Sequence, residues 1–304
     1  MGHHGHDHAA NARDANRRAL AVVLVLTASF TVVEVIGGLL TGSLALLADA
    51  GHMLSDNFSL GVALFAAWLA GRPATPEKSF GYRRAEILAA LANGITLVAI
   101  SIWVFVEAYA RLREPAEVLG TPMLAVATLG LLVNAAGAII LYRSGRGSLN
   151  VEGALRHVLA DALGSVGAMV AAAIIILTGW RYADPLVSVA IGFLILGSSW
   201  TLLRDSTNIL LEATPRGLNA GEVGQKMAAA EGIIEVHDLH IWTITSGFPA
   251  LSAHVLVGRH EDCHARRREL EELLTNEYGI SHTTLQVDHV GDHHTNLRFP
   301  SRLD

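Results

Sequence analysis

Long apolar runs separated by short polar breaks fill the first two thirds of the chain. Six runs are long enough for a bilayer crossing, which takes about 20 helical residues: Leu20–Leu40, Leu44–Leu69, Ile87–Tyr109, Met123–Tyr142, Val158–Leu177 and Leu186–Leu203. The first is longer than a signal-peptide core and no convincing small-residue cleavage site precedes the second, so it reads as a retained helix. Six crossings leave both termini on one side of the membrane.

After Leu211 the pattern changes. Thr214-Pro215 and Gly217 interrupt the chain, and Asn219 is placed to cap a helix running to about Ala230. Ile233–Thr245 and Ala250–Val257 read as strands around a Ser246-Gly247-Phe248-Pro249 turn, followed by a charged helix, Glu261–Tyr278, and a third strand, Thr283–Val290. The order helix-strand-strand-helix-strand predicts an open-faced α+β sandwich. The expected divisions are a flexible His-rich tail over 1–16, a six-helix transmembrane domain over 17–211, the α+β domain over 212–291 and a C-terminal tail over 292–304.

Composition agrees with a membrane protein: 51% of the 304 residues are hydrophobic and 16% charged, too much apolar surface for one soluble core. The net charge of −6 is mild and gives no sign of a nucleic-acid partner. A single cysteine, Cys263, excludes an intrachain disulfide. Basic residues set the orientation. Arg13, Arg17, Arg18, Arg72, Lys78, Arg83, Arg84, Arg143, Arg146 and Arg204 fall on one side, against Arg111, Arg113 and Arg181 on the other, which places both termini in the cytoplasm. Trp68, Trp180 and Trp200 fit interfacial anchoring and fit helix packing equally well.

The candidate chemistry lies inside the apolar runs or, for His157, immediately before one. His52 with Asp56 and His157 with Asp161 repeat one four-residue spacing, which sets each pair on one helical face, a turn apart. Ionisable groups at membrane depth are costly and point to ion handling. Two imidazoles and two carboxylates make a tetrahedral shell suited to Zn²⁺ and nearly neutralise it. The plain alternative is that each His is a hydrogen-bonding group between helices; two matching pairs weigh against it. With a rise of about 1.5 Å per residue, Asp56 lies about 20 Å in from Ser43 and Asp161 about 27 Å in from Gly179, so a shared site requires tilt or a kink. Asp49 lies on the stripe of His52 and Asp56; it reads as a ligand, an acceptor behind the ligands, or a packing group. Glu34, Asn93, Glu107 and Asn134 read as helix-to-helix hydrogen-bonding groups.

These residues carry a family resemblance. The stretch Gly42-Ser43-Leu44-Ala45-Leu46-Leu47-Ala48-Asp49-Ala50-Gly51-His52-Met53-Leu54-Ser55-Asp56, the segments Phe80-Gly81-Tyr82-Arg83-Arg84-Ala85-Glu86 and His157-Val158-Leu159-Ala160-Asp161, and His237-Asp238-Leu239-His240-Ile241-Trp242 closely resemble the cation diffusion facilitator family, from about Arg17 to Val290. The resemblance implies a homodimeric exporter that moves divalent cations out of the cytoplasm in exchange for protons. It also implies a cytoplasmic α+β domain of the ferredoxin or metallochaperone-like kind. The implied transport site, between the second and fifth helices, is His52, Asp56, His157 and Asp161. In this family a His at the position of His52 goes with zinc, and Asp there with broader acceptance. Zn²⁺ is therefore the expected cargo, with Cd²⁺ or Co²⁺ secondary and no organic cofactor. The resemblance further assigns His237, His254 and Asp288 to regulatory zinc in the cytoplasmic domain, with His282 and His264 at less uniform positions. His240 reads as a packed strand residue beside Trp242.

Because histidine must be deprotonated to bind metal, proton and metal compete at such ligands, which builds exchange into the site. The tract His3-His4-Gly5-His6-Asp7-His8 reads as a weak metal catcher or a plain tail. The loops at Leu69–Phe80 and Arg143–Asn150 carry no histidine, and no metal site is expected in either. A membrane-embedded zinc hydrolase would need an open coordination position and a general base, and no HExxH appears. A metal sensor without transport would leave the intramembrane pairs unexplained. The expectation is a secondary transporter, not an enzyme, in a bacterial cytoplasmic membrane.

Overall fold

The structure is a computed structural model and describes residues 4–144 and 149–291. The histidine side chains of the amino-terminal tract, residues 145–148 and the tail at 292–304 lie outside the described set, and with them the sequence expectations placed there. Six long helices come first: α1 (His4–Thr41), α2 (Leu44–Ala70), α3 (Ala85–Arg113), α4 (Gly120–Ser144), α5 (Leu149–Thr178) and α6 (Ala183–Leu210). Five of them are long and apolar enough to cross a membrane: α1 from Arg18, α3, α4, α5 from Val151, and α6. The 27-residue α2 has the length to be the sixth. Every helix overruns its apolar stretch, because helical hydrogen bonding continues into the polar interface. The largest overrun is in α1, helical from His4 where the sequence suggested a flexible tail. Residues 6–20 contain neither Gly nor Pro, so the stretch extends an existing helix without a new nucleus.

Residues 1–68 and 89–204 form one compact unit; residues 69–88 and the chain from 205 form a second. In the first, α4 packs against both α1 and α5. Its apolar core includes Leu46, Leu97, Val104, Met123, Ala168 and Ile195. Polar bonds add to this packing: Ser55 Oγ donates to Asn93 Oδ1 (2.8 Å) and Asn57 Nδ2 to Thr31 Oγ1 (3.2 Å). Glu107 instead pairs along its own helix with Arg111 Nε, at 2.9 Å. Glu34 and Asn134 have no hydrogen-bond partner for their side-chain atoms.

One end of this bundle is tied by a buried carboxylate. Asp184, in the first turn of α6, accepts from Ser43 Oγ (2.6 Å), Leu44 N (2.8 Å) and Ala45 N (3.2 Å). An α6 side chain thus caps α2, satisfying amide groups that have no partner within that helix. Arg111 of α3 reaches the same place, 3.5 Å from Asp184 Oδ2, and donates to Gly42 O at 2.5 Å. Gly42 has φ +70, and a Cβ there would stand 2.8 Å from Glu117 O; only glycine suits this link.

The second unit holds α7 (Ala220–Ala228), β1 (Ile233–Thr245), β2 (Phe248–Val257), α8 (Cys263–Tyr278) and β3 (His282–His289). The sheet order is β1-β2-β3, with β1 antiparallel and β3 parallel to β2. Val223, Met227, Ile241, Leu251, Leu270 and Leu274 fill the core between the helices and one sheet face. Asn219 caps α7 as the sequence suggests, accepting from Gly221 N and Glu222 N; α8 starts two residues later than expected from sequence, at Cys263, and its cap is Asp262, which accepts from His264 N and Ala265 N. The backbone bonds at Asp262 hold its carboxyl below the usual aspartate range.

The segment between α2 and α3 belongs to this unit. Glu86 accepts from Thr245 Oγ1 (3.1 Å) and Ser246 Oγ (3.2 Å), Arg84 Nη2 meets Glu212 Oε1 at 2.9 Å, and the Arg83 guanidinium lies 4.5 Å from the Phe248 ring centroid. A sequence read segment by segment assigns residues 69–88 to the membrane domain and leaves these partners unseen.

Candidate metal centre

Helix α2 carries His52 and Asp56 on one face, and α5 carries His157 and Asp161 on one face. The fold turns the two faces toward each other. Asp56 Oδ2 lies 3.4 Å from His52 Nε2 and 3.3 Å from His157 Nε2. Asp161 offers Oδ1 to His52 Nε2 at 3.8 Å and Oδ2 to His157 Nε2 at 3.6 Å. The two imidazole rings meet edge to face, 5.9 Å apart. Ligand atoms of His52, His157 and Asp161 all fall within 4.8 Å of one another.

These separations are longer than charge-assisted hydrogen bonds, which run about 2.7–2.9 Å. They instead match the edges of a coordination shell. A tetrahedron with metal-to-ligand distances of 2.0–2.2 Å has edges of about 3.3–3.6 Å. The two distances from Asp56 Oδ2, 3.4 and 3.3 Å, fall inside that range; the two from Asp161, 3.8 and 3.6 Å, end on different oxygens, so a small rotation of that carboxylate would complete one shell. Asp56 Oδ2, Asp161 Oδ1 and His52 Nδ1 are buried without a hydrogen-bond partner. Leaving such groups unsatisfied is costly, and a dication among the carboxylates removes most of that cost.

The two pairs meet although Asp56 is 13 positions from Ser43 and Asp161 is 18 from Gly179. A cavity of about 500 Å³ leads to the site. Leu20, Leu24 and Thr27 of α1, Asn57 of α2 and Gly153 of α5 line it, and it touches Asp56, His157 and Asp161. It therefore opens toward the end of the bundle where α1 and α5 begin, opposite the end tied by Asp184. Asp49 lies apart from the four ligands, against Gly164, where a Cβ would stand 2.7 Å from Asp49 Oδ1.

In the second unit His237 and His254 are cross-strand partners with ring centroids 5.4 Å apart. Asp288 pairs with Leu256, two residues along β2 from His254, and accepts from Gln286 Nε2 at 2.8 Å. Asp238 was not singled out from sequence. It sits in a β1 irregularity at φ +52, 3.9 Å from His254 Nε2 and 3.0 Å from His240 Nε2. An irregular register moves an otherwise outward residue into the group, and no sequence pattern announces it. His240 is exposed and held by Asp238. His282 starts β3 among aromatic rings, 5.5 Å from Phe248 and 5.9 Å from Phe80, four residues before Gln286, the partner of His254. His264 is exposed in the first turn of α8. Neither His282 nor His264 is brought to His237 and His254.

Comparison with known proteins places this arrangement. Residues 20–211 match the cation efflux transmembrane domain, and residues 215–290 match the cytoplasmic domain of cation efflux proteins. The chain belongs to the cation efflux family. Relatives of this cation efflux protein include the "cadmium, cobalt and zinc/H(+)-K(+) antiporter" of Bacillus velezensis, 42% identical over 96% of this chain and 94% of that protein. The zinc transporter ZitB of Escherichia coli is 42% identical over 94% of this chain and 92% of its own. A solved metal-bound C-terminal domain of the CzcD transporter from Cupriavidus metallidurans is 32% identical and covers 23% of this chain and 99% of its own, with a TM-score of 0.23. The cation efflux protein is thus a multi-pass membrane transporter rather than an enzyme.

Proposed function

We propose that this cation efflux protein exports Zn²⁺, with Cd²⁺ and Co²⁺ as secondary cargo, by proton-coupled antiport through alternating access. His52, Asp56, His157 and Asp161 are the transport site. The observation that carries this reading is the convergence of two imidazoles and two carboxylates from α2 and α5, at nitrogen-to-oxygen distances of 3.3, 3.4, 3.6 and 3.8 Å, with Asp56 Oδ2 and Asp161 Oδ1 buried and without a hydrogen-bond partner. Four protein ligands leave no open position for a hydrolytic water, which disfavours a membrane zinc hydrolase.

In this reading both termini and the α+β domain are cytoplasmic, and the cavity beside α1 and α5 is the cytoplasmic approach. The membrane domain lies within residues 17–211, from which residues 69–88 and 205–211 fold with the second unit, and the cytoplasmic domain is 212–291. Zinc reaches the site from the cytoplasm and binds neutral imidazoles and both carboxylates. The helices then close the cavity and open the end tied by Asp184, and protons arriving at the ligands displace the metal. The chain works as a homodimer in a bacterial cytoplasmic membrane. Zinc at His237, His254 and Asp288 tightens paired cytoplasmic domains and favours the transporting state.

The test is Zn²⁺ flux in proteoliposomes driven by an imposed pH gradient with membrane voltage clamped. Asp56→Ala and Asp161→Ala, inserted to equal density, are expected to fall to the protein-free rate. Flux that ignores the pH gradient removes proton antiport, and undiminished flux in both variants removes the transport site. The Bacillus relative's name adds K⁺ beside H⁺, so the assay is run with and without a K⁺ gradient.

A further inference from the structure

Two carboxyl groups that the proposed transport shell does not use face each other one helical turn away from it. Glu34 of α1 is 0% exposed and Asp49 of α2 3% exposed. They stand within hydrogen-bonding reach of each other, yet both oxygens of Glu34 and Oδ2 of Asp49 have no hydrogen-bond partner. Among the described residues no arginine, lysine or histidine forms an ion pair with either. Ser165 of α5, 1% exposed, also has its hydroxyl unpartnered. It belongs to the same region: a Cβ at Gly130 would meet Ser165 Oγ at 3.0 Å and the ring of Phe30, one turn before Glu34, at 2.7 Å. Its neighbour Gly164 is the residue against which Asp49 packs.

The position of this group relative to the shell follows from the topology. Asp49 precedes His52 toward the start of α2, and Ser165 follows Asp161 toward the end of α5. The start of α2 is held by Asp184, just past the end of α5, so both displacements lead to the same end of the bundle. That is the sealed end, opposite the cavity. Two ionised carboxylates buried there without a partner would be very costly, whereas one divalent cation balances both.

We infer that Glu34 and Asp49, with Ser165, form a second divalent-cation station on the release side of the transport site. The inference rests on the transport reading above. Its chemistry suits a station that gives the ion up. The donors are all oxygen, a set that favours harder cations than zinc, whereas the transport shell holds two imidazoles. Zinc passing from the first to the second exchanges nitrogen for oxygen and is held less tightly, as stepwise release requires. Gly164 makes room for the Asp49 carboxylate; alanine there would displace it.

The test uses the full chain and Mn²⁺, a hard divalent probe read by electron paramagnetic resonance. In a His52→Ala/His157→Ala background, which strips the nitrogen ligands from the transport shell, the protein is expected to bind one more Mn²⁺ per chain than the same background carrying Glu34→Gln. Gly164→Ala, reaching the pair from α5, should remove the same ion. Equal Mn²⁺ binding with and without Glu34→Gln overturns the proposal. Glu34→Gln alone separates station from scaffold, because glutamine donates to Asp49 and preserves a merely structural pair. Expected is a Zn²⁺ Kd within about two-fold of wild type, an unchanged KM and a maximal flux at least ten-fold lower. Wild-type flux in that variant also overturns it. Failure of the transport-site reading shows separately, as unaltered Zn²⁺ binding and flux in Asp161→Ala.

Discussion

At the residue scale, His52 sets the hardness of the proposed shell. It contributes one of two nitrogens, and Asp56 Oδ2 and Asp161 Oδ1 stand 3.4 and 3.8 Å from it. Replacing it with Asp turns an N₂O₂ shell into NO₃, adds a negative charge and favours harder ions. His52→Asp is expected to lower the ratio of Zn²⁺ to Mn²⁺ flux by about ten-fold or more, measured in one vesicle preparation with both ions in competition. An unchanged ratio would place the selectivity elsewhere. Asp161 differs from Asp56 in burial: it is 4% exposed, while Asp56 is half-buried on the cavity wall. Of the two, Asp161 therefore depends more on its partners.

At the element scale, the start of α2 and the start of α8 show one device in two solvents. Both first turns have backbone amides capped by an aspartate, Asp184 from α6 in one case and Asp262 in the other. Asp184 is fully buried and also answers Arg111. Asp184→Ala leaves three buried donors without their acceptor and takes one of three partners from Arg111, which keeps Glu107 and Gly42 O; it is expected to cost about 3 kcal/mol or more, read as a lowered unfolding temperature in detergent. Asp262 is solvent-facing, so its contribution is smaller but depends on pH. Its carboxyl is held below the usual range by the amides of Ala265 and His264. The ionised cap therefore stabilises fully above the unfolded pKa, and the gain is lost as pH falls through the lower folded value. The Asp262→Ala variant should melt below wild type at neutral pH, and the gap should close as the pH drops into the range where aspartates protonate. A gap independent of pH would mean that the cap does not act through its charge.

At the scale of the whole molecule, the cavity and the tied end give the membrane unit two unlike ends. Thr27 lines the cavity, and Ser43 is buried with its hydroxyl on Asp184. In a Cys263→Ser background, Thr27→Cys should be alkylated by a membrane-impermeant reagent from one side only, and Ser43→Cys should be protected in the absence of metal. Zinc that drives alternating access should slow the first and speed the second; zinc that changes neither would argue against a rocking bundle.

The sequence by itself determined much of this protein, for a physical reason. A helix in a bilayer must satisfy its own backbone, so long apolar runs can hardly be anything else, and all six predicted runs lie inside observed helices. The strands of the C-terminal domain were legible for a related reason, since alternation and turn residues are local signals; their ends match within three residues. The two His–Asp pairs were equally visible, because a four-residue step fixes one face of one helix. Only the tertiary structure decided what lies across from what. It set α2 against α5 at ligand distances, drew residues 69–88 into the second unit, swung Asp238 toward His254 and laid Glu34 beside Asp49. Each of these is a meeting of side chains far apart in the chain or displaced by an irregular register. Local periodicity reports which face a residue occupies but carries no information about which face comes to meet it.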